Sequence, residues 1–236
     1  MARAKRGRLK KYVLAFFLGI PLVAAASAQE VKLLGGAGLS SYSICPRGVR
    51  NWYSPYLEFQ TAYRPGFLVG AGLECSLAKR VGLEIDILYF QKGSKLSATR
   101  LLDEPAWESE YTLNVISLPI LVKLKALPGS SPYLVHGGEL SYVIAHRSAS
   151  TYYPDPYIYP AEPNALSEDI KEKTRRVGLG AVVGAGWEIR YRGVALSIEL
   201  RYHFGLLNLL SEEGSGPLSI ASMKSNSQVI LCGLRF

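Results

Sequence analysis

The sequence contains few of the residue types that most often carry catalytic or metal chemistry. It has three cysteines, Cys45, Cys75 and Cys232, which are too few and too widely spaced for a disulfide framework or a zinc site. Its three histidines are His136, His146 and His203. The chain also lacks a glycine-rich phosphate loop and a nucleotide-binding fingerprint. We therefore expect no cofactor, no metal site and no catalytic centre.

The excess of positive charge does not extend over the whole chain. The sequence has 27 basic and 19 acidic residues, a formal net charge of +8, and six of the basic residues fall within the first eleven positions. After residue 28 the remaining 21 basic residues nearly balance the 19 acidic ones. A nucleic-acid partner is therefore not expected for the mature protein.

The N-terminal segment has the three parts of a secretory signal peptide. A basic stretch precedes an apolar run from Tyr12 to Ala26, and Ala26-Ser27-Ala28 fits an A-x-A cleavage site. An uncleaved membrane anchor is the alternative, but the run of 15 residues is shorter than the roughly 20 that cross a bilayer as a helix. We expect a cleaved signal at residues 1–28 and one mature domain at residues 29–236.

The mature sequence lacks any run of 18 apolar residues, which excludes a helical membrane protein. Instead, apolar side chains recur at every second position, as in Val81–Tyr89, where the intervening positions include Glu84 and Asp86. This period indicates strands with one apolar and one polar face. Eight such segments lie near residues 31–40, 65–77, 81–93, 111–126, 132–145, 176–190, 194–206 and 225–236.

These segments predict an eight-stranded up-and-down β-barrel in the bacterial outer membrane. Most are long enough for a tilted membrane strand, which needs about 9 to 11 residues, whereas soluble strands usually have about 5 or 6. Short connections near residues 78–80, 127–131 and 191–193 alternate with long ones at residues 41–64, 94–110, 146–175 and 207–224. Short turns are typical of the periplasmic side and long loops of the cell surface, so this alternation orients the chain in the membrane.

If the apolar faces meet lipid, the polar faces point into the barrel. The expected interior charge network comprises Glu74, Glu84, Asp86, Lys123, Glu139, Glu188, Arg190, Glu199, Arg201 and His203, with Lys125 and Arg235 on the same face. The interior of an eight-stranded barrel is just wide enough for side chains to fill it. We therefore expect these charges to pair with one another instead of lining a wide channel.

A soluble lipocalin-like barrel or β-sandwich, with its apolar faces turned inward, is the alternative fold. Strand length and the confinement of charge to one face argue against it. The last strand also ends on Phe236, which resembles the signature by which outer-membrane barrels are delivered to their assembly machinery. Pro119 cannot donate to a ladder, so we expect a bulge or a local break in the fourth strand.

Several short motifs follow one another in a characteristic order. They are Gly35–Leu39, Gly66–Glu74, Leu83–Ile85, Tyr89–Gly93, Leu118–Lys123, Gly178–Gly186, Glu199–Tyr202 and Gly205–Asn208. In this order they resemble the PorT-like outer-membrane β-barrel family common in Bacteroidetes, over nearly all of the mature chain. A proline in the fourth strand is habitual in that family. Because its founding member is linked to assembly of a secretion system for surface and gliding factors, the resemblance implies a non-enzymatic barrel, structural or accessory to envelope assembly or protein secretion.

Two features leave other functions open. Tyr152, Tyr153, Tyr157 and Tyr159 lie among prolines in the third long connection and would suit a recognition loop, although a solvated loop or an aromatic girdle is equally compatible. A surface binding or adhesion barrel is therefore one alternative. His146, Ser148 and Glu162 loosely resemble the residues of outer-membrane lipid A deacylases, so a membrane-embedded lipid A hydrolase is another. Such an enzyme needs all three groups within hydrogen-bond reach, which the spacing does not establish.

Overall fold

The computed structural model describes residues 29–46, 58–100, 105–127, 131–154, 162–210 and 220–236. Nine strands account for most of these ranges. They are β1 (Gln29–Pro46), β2 (Glu58–Ala78), β3 (Val81–Thr99), β4 (Pro105–Lys125), β5 (Ser131–Tyr152), β6 (Asn164–Asp169), β7 (Val177–Tyr191), β8 (Val194–Gly205) and β9 (Ile220–Arg235). Across the described ranges, no helix is long and apolar enough to cross a membrane. The signal peptide expected at residues 1–28 lies outside them.

Eight of the nine strands form a closed antiparallel ring. The strand order is β4-β3-β2-β1-β9-β8-β7-β5, and an additional pairing between β4 and β5 joins the two ends. The remaining strand, β6, pairs with the end of β5, from Arg147 opposite Asp169 to Tyr152 opposite Asn164. The predicted eight-stranded up-and-down barrel is therefore confirmed, with β6 as an addition at one end.

The strands extend further than predicted on the side of the long connections. β1 runs to Pro46, β4 begins at Pro105 and β5 runs to Tyr152. The connection predicted at residues 146–175 was wrong in part, because it contains the end of β5 and all of β6. Outward positions in these extensions are small or polar, so the apolar alternation stops although the hydrogen-bonded pairing continues.

The turn between β7 and β8 shows why the connections are short at the end of the barrel opposite the long loops. Tyr191 pairs with Val194, which leaves two residues in the turn. Both have positive φ, 50° at Arg192 and 84° at Gly193. This combination is typical of a type I′ hairpin, whose twist matches that of the flanking strands, and Gly193 adopts it without a steric penalty.

The outward face divides the barrel into two zones. Next to the short turns it is apolar and exposed, with Leu33, Val69, Leu73, Ile87, Leu134, Val183, Trp187, Ile189, Leu196, Ile198, Leu200 and Ile230 among its side chains. Further from those turns, the outward positions of β3, β4 and β5 include Lys95, Glu110 and Arg147. An apolar band is the surface that a membrane barrel presents to lipid. We call the polar zone beyond it, formed by residues 58–65, 92–99, 105–114, 145–152 and 164–169, the outer extension.

Pro119 is accommodated by a local break in one ladder. β3 and β4 pair from Val81 opposite Leu124 to Ile85 opposite Ile120, and pairing resumes at Leu88 opposite Ser117 without a change of register. On its other side Pro119 lies opposite Glu139 of β5. The prediction of a local break is confirmed. No bulge is needed, because the missing N–H of the proline interrupts the pairing with β3 at only one place.

Candidate functional site

The lumen next to the short turns contains a first group of ion pairs, here called the rim cluster. Lys123 lies 2.9 Å from Glu74 and 3.0 Å from Glu188, which joins β2, β4 and β7. Arg235 contacts the same two carboxylates at 2.6 and 2.5 Å. Glu30, Lys125 and Arg190 complete the cluster at its more exposed edge. Each central acid is therefore held by two or more cations.

The central cluster lies one layer further from the short turns and consists of Lys32, Glu84, Asp86, Glu199 and Arg201. Arg201 donates to Glu199 at 2.7 Å, to Asp86 at 2.7 Å and to Glu84 at 2.5 Å. Lys32 donates to Glu84 at 3.0 Å and also contacts Glu199. All five side chains are almost completely buried. Since an unpaired buried charge is costly, these residues depend on one another.

A third group, the upper cluster, contains Lys92, Glu139 and His203. Lys92 Nζ lies 3.1 Å from Glu139 Oε1, and His203 Nδ1 lies 2.5 Å from Glu139 Oε2. The ring of Phe90 packs edge-on against His203 at 5.6 Å, and the Lys92 ammonium lies 4.6 Å from the same ring. The carboxylate is therefore sandwiched between a lysine from β3 and a histidine from β8.

All ten residues expected in the interior charge network take part in these three clusters. Arg190 differs from the others because its side chain is 43% exposed at the turn end. Glu30, Lys32 and Lys92 were missed as members. All three lie at even positions, the same face as Glu84 and Asp86 in β3 and Leu34 in β1. Extending the two-residue period to the whole of each strand would have found them.

An apolar layer fills the lumen beside the upper cluster and beyond it, and the sequence pattern did not predict it. Its buried members are Leu34, Tyr42, Leu68, Leu88, Phe90, Leu96, Tyr111, Leu113, Val115, Val143, Met223, Val229 and Leu231. Ile170, Leu209 and Leu210 pack on it from segments outside the ring strands. The prediction had treated inward positions as polar, whereas stretches such as Leu113–Leu121 carry apolar residues on both faces.

At the mouth of the barrel, hydrogen bonds to His146 join the barrel wall to a segment outside the ring strands. Its Nδ1 lies 2.7 Å from Thr174 Oγ1, and its Nε2 lies 3.2 Å from the Tyr42 hydroxyl. Thr174 donates to the carbonyl of Ile170 and forms a bridge with Leu210. Burial lowers the pKa of His146 from 6.5 to about 4, although the negative charge of Asp169 opposes this shift. The segments around Thr174 and Leu210 are thereby fixed over the lumen.

The residues of the hydrolase hypothesis do not assemble into a triad. His146 engages Tyr42 and Thr174 through its two ring nitrogens, and the Ser148 hydroxyl lies 3.2 Å from that of Ser150. Glu162 is exposed at the start of the segment that precedes β6. A catalytic serine needs the histidine as its hydrogen-bond partner, so this arrangement lacks the central contact of such an enzyme.

The outward face of the outer extension carries a polar surface. Arg64 Nε donates to Glu110 at 2.7 Å, and Lys95 lies 3.9 Å from the same carboxylate. The hydrogen bond from Arg64 lowers the pKa of Glu110. A shallow depression of about 510 Å³ lies beside this pair, and its lining includes Ala62, Ser97, Glu108 and Thr151 together with Lys95 and Glu110. Small residues on neighbouring strands leave this part of the sheet accessible.

The predicted recognition tyrosines fall partly within this extension. Tyr152 ends β5 and is 55% exposed. The Tyr153 hydroxyl lies 3.4 Å from Glu108, and Arg100 donates to the Tyr153 carbonyl at 2.6 Å. Tyr157 and Tyr159 lie outside the described residues. In the described part of the chain, no group of three or more metal-ligating side chains comes together.

Residues 27–211 match the family model described as outer membrane protein beta-barrel domain. Among solved structures, the chain is similar to the outer membrane protein OprG from Pseudomonas aeruginosa, with 11% identity, a TM-score of 0.45 and coverage of 89% of this chain and 96% of that one. It is also similar to Neisserial surface protein A, with 12% identity, a TM-score of 0.41 and coverage of 87% and 97%. No curated protein sequence matches it.

Proposed function

This chain belongs to the family of outer membrane protein β-barrel domains, and from that premise we propose that it is a non-enzymatic, non-conducting barrel that serves envelope assembly or protein secretion. Residues 1–28 would act as the cleaved export signal, and residues 29–236 would form the barrel in the bacterial outer membrane. The PorT-like order of motifs supports the secretion role. Its partners would be outer-membrane lipid and other envelope proteins.

The filled lumen is the observation that carries this proposal. Three ion-pair clusters and one apolar layer fill the lumen, and side chains from strands that are not neighbours in the ring meet in each cluster. An eight-stranded barrel has little interior space left once its side chains pack. A solute would have to separate several buried ion pairs to pass through the lumen. We therefore assign the function to the outward surface of the barrel.

The outer extension supplies that surface. The outward faces of β2, β3 and β4 carry Arg64, Lys95, Glu108 and Glu110 beyond the lipid band, on a hydrogen-bonded sheet. A rigid sheet that carries charge of both signs suits recognition of another folded protein, because fixed side chains lose little entropy on binding. A partner in the same envelope would meet this surface with complementary charges.

Planar-bilayer recordings test the first half of the proposal. The purified barrel, reconstituted at a defined protein-to-lipid ratio, should show no steady conductance, and a known porin in the same bilayer serves as the positive control. Stable open-channel currents from the wild-type chain would contradict a closed lumen.

Affinity capture tests the second half. Tagged wild-type protein in its native membrane is solubilised in mild detergent, and the captured proteins are compared with those of a variant that combines Lys95→Ala, Glu108→Ala and Glu110→Ala. A matched control combines Lys79→Ala, Arg80→Ala and Arg192→Ala at exposed short-turn positions. We expect defined envelope proteins with the wild type and the control and their loss with the first variant. Equal capture by all three would refute the outer extension as the contact surface.

A surface binding module is the second candidate. The observation that favours it is the exposure of Tyr152 beside the Glu108–Tyr153 contact at the end of β5. In this case the same capture would yield a soluble or surface ligand and no stable envelope complex, and a combined change of Tyr152 and Tyr153 to serine would abolish capture of that ligand.

The lipid A hydrolase hypothesis predicts an altered lipid A profile in cells carrying Ser148→Ala; we expect an unchanged profile.

A further inference from the structure

One wall of the lumen contains a group of buried polar atoms with no hydrogen-bond partner among the described residues. They are the hydroxyls of Ser40, Ser225 and Ser227 and the Nε2 atom of His203. Their residues are between 0% and 7% exposed. Buried polar side chains are nearly always hydrogen-bonded in folded proteins, so several unpartnered ones in one place indicate a missing common partner.

The strand register brings these atoms together. His203 of β8 lies opposite Ser227 of β9, and Ser227 lies opposite Ser40 of β1. Ser225 follows two residues away on the same face of β9, opposite Tyr42. Directly opposed residues of an antiparallel pair have Cβ atoms about 5 Å apart. The four polar groups therefore form one continuous patch across three neighbouring strands.

His203 requires a partner at Nε2 in either charge state. Its Nδ1 is bound to Glu139, whose carboxylate accepts a hydrogen bond. The remaining nitrogen is then an acceptor in the neutral ring and a donor in the imidazolium. The serine hydroxyls can likewise both donate and accept. A ligand that serves all four groups must therefore both donate and accept hydrogen bonds.

The space beside His203 limits the size of that ligand. A cavity of about 30 Å³ is lined by Lys92, Glu139, Ser141, His203 and Ser225, together with apolar neighbours that include the exposed Leu179 and Phe204. A space of this volume has room for roughly one or two water molecules. Lys92 and Glu139 already neutralise each other, so the cavity provides no unbalanced charge for an ion.

We propose that this wall is an internal hydration site, in which ordered water bridges His203 Nε2 to the hydroxyls of Ser225, Ser227 and Ser40. The water completes the hydrogen bonding of the upper cluster. Because Ser225 lies opposite Tyr42, whose hydroxyl contacts His146, the site also continues the polar wall from the upper cluster to the mouth. The wall formed by β3 and β4, with Phe90 and Leu113, stays apolar at this level.

Water-selective NMR on the full chain in lipid nanodiscs tests the site. With histidine labelled by ¹⁵N, magnetisation should pass from water to the ring protons of His203 in the wild type. Ser227→Ala should abolish this transfer and lower the urea midpoint of unfolding, because it removes a hydroxyl that holds the water. Ser197→Ala is the matched control, since this buried hydroxyl already donates to the Gly233 carbonyl; it should leave the transfer at His203 unchanged.

Two results would overturn the proposal. One is the absence of water transfer to His203 in the wild type. The other is a raised urea midpoint for Ser227→Ala with unchanged transfer, because removing a truly unpartnered hydroxyl relieves a desolvation penalty. Should Ser227→Ala fail to fold, Ser40→Ala at the far side of the patch should reduce the transfer, and an unchanged transfer in that variant would count against the site. Neither result depends on the proposed function.

Discussion

Arg201 of β8 donates from Nη1 to the Oδ2 atom of Asp86 on β3 at 2.7 Å, although these two strands lie on opposite sides of the ring. No ladder between described strands joins β3 to β8 directly. The same guanidinium also holds Glu84 and Glu199. One side chain therefore links two walls that the sheet connects only through three other strands.

Replacing Arg201 with methionine should be severely destabilising. Three buried carboxylates would remain with only Lys32 to neutralise them, and breaking a buried ion pair from one side costs about 3 to 5 kcal/mol. The measurement is urea-induced unfolding in lipid vesicles, followed by the heat-modifiable shift in gel mobility. Arg190→Met is the control: its side chain is partly exposed and Glu188 keeps Lys123 and Arg235, so a loss of about 0 to 1 kcal/mol is expected. Equal losses would show that the central cluster has no special role.

The barrel itself could be predicted because lipid imposes a strict pattern on the sequence. Wherever strands cross the apolar band, a one-residue slip would turn a charge such as Glu84 or Arg201 toward hydrocarbon, so alternation is enforced. Beyond the band this constraint ends. At an outward position there, a small residue such as Ala149 is as suitable as a leucine. In addition, β6 has no apolar face at all. For that reason the apolar alternation predicted neither the additional length of the strands nor β6.

Most members of the interior clusters could be predicted, with Lys32 and Lys92 among the exceptions, but their arrangement only partly. Parity along β3 identifies Glu84 and Asp86 as inward, yet only the packed ring shows that Arg201 reaches both. Parity also places Phe90 on the inward face of β3, yet one inward apolar residue does not show that an apolar layer fills part of the lumen. The mouth cluster of Tyr42, His146 and Thr174 joins residues more than 100 positions apart, and no local pattern encodes such a contact.

The neighbouring glycines of β1 provide a matched pair that tests the close approach of β1 to β9. A Cβ on Gly36 would approach the backbone carbonyl oxygen of Ile230 well inside van der Waals contact, whereas one on Gly35 would meet nothing within 4 Å. Gly36→Ala should therefore cost about 1 to 3 kcal/mol, as overpacking does. Gly35→Ala should be neutral or slightly stabilising, since it restricts the unfolded chain. Unfolding midpoints of the two variants in the same lipid would check this, and a larger loss for Gly35→Ala would contradict the assigned faces of β1.

His146 should make the barrel less stable in acid. Its pKa is lowered from 6.5 to about 4 in the folded protein, so the unfolded chain binds the proton more tightly. Above pH 6.5 the ring is neutral in both the folded and the unfolded chain. As the pH falls from 6.5 toward 4, protonation of the unfolded chain lowers the free energy of unfolding, by on the order of 3 kcal/mol in all. His146→Gln should flatten the dependence of the unfolding free energy over this range.

The control for this titration is His136→Gln, on the outward face of β5 opposite Val183 and away from the mouth. Unfolding curves at half-unit steps of pH are compared for the wild type and both variants. The difference between wild type and His146→Gln should grow between pH 4 and 6.5 and stay constant above. If His136→Gln removed as much of the slope, the mouth cluster would not be its source.

The position of the lipid band can be tested by placing one charge at two heights on the outward face. Val183 lies within the apolar band and is 45% exposed, whereas Ala149 faces outward on the outer extension opposite Glu110. Arg at a lipid-facing position near the bilayer midplane costs about 2 to 4 kcal/mol. Val183→Arg should therefore lower the unfolding free energy by that amount in vesicles. Ala149→Arg should leave it unchanged or raise it slightly, because water solvates the new charge and Glu110 pairs with it. A comparable loss for both would mean that lipid also surrounds the extension, and a surface buried in lipid could not meet a protein partner as proposed.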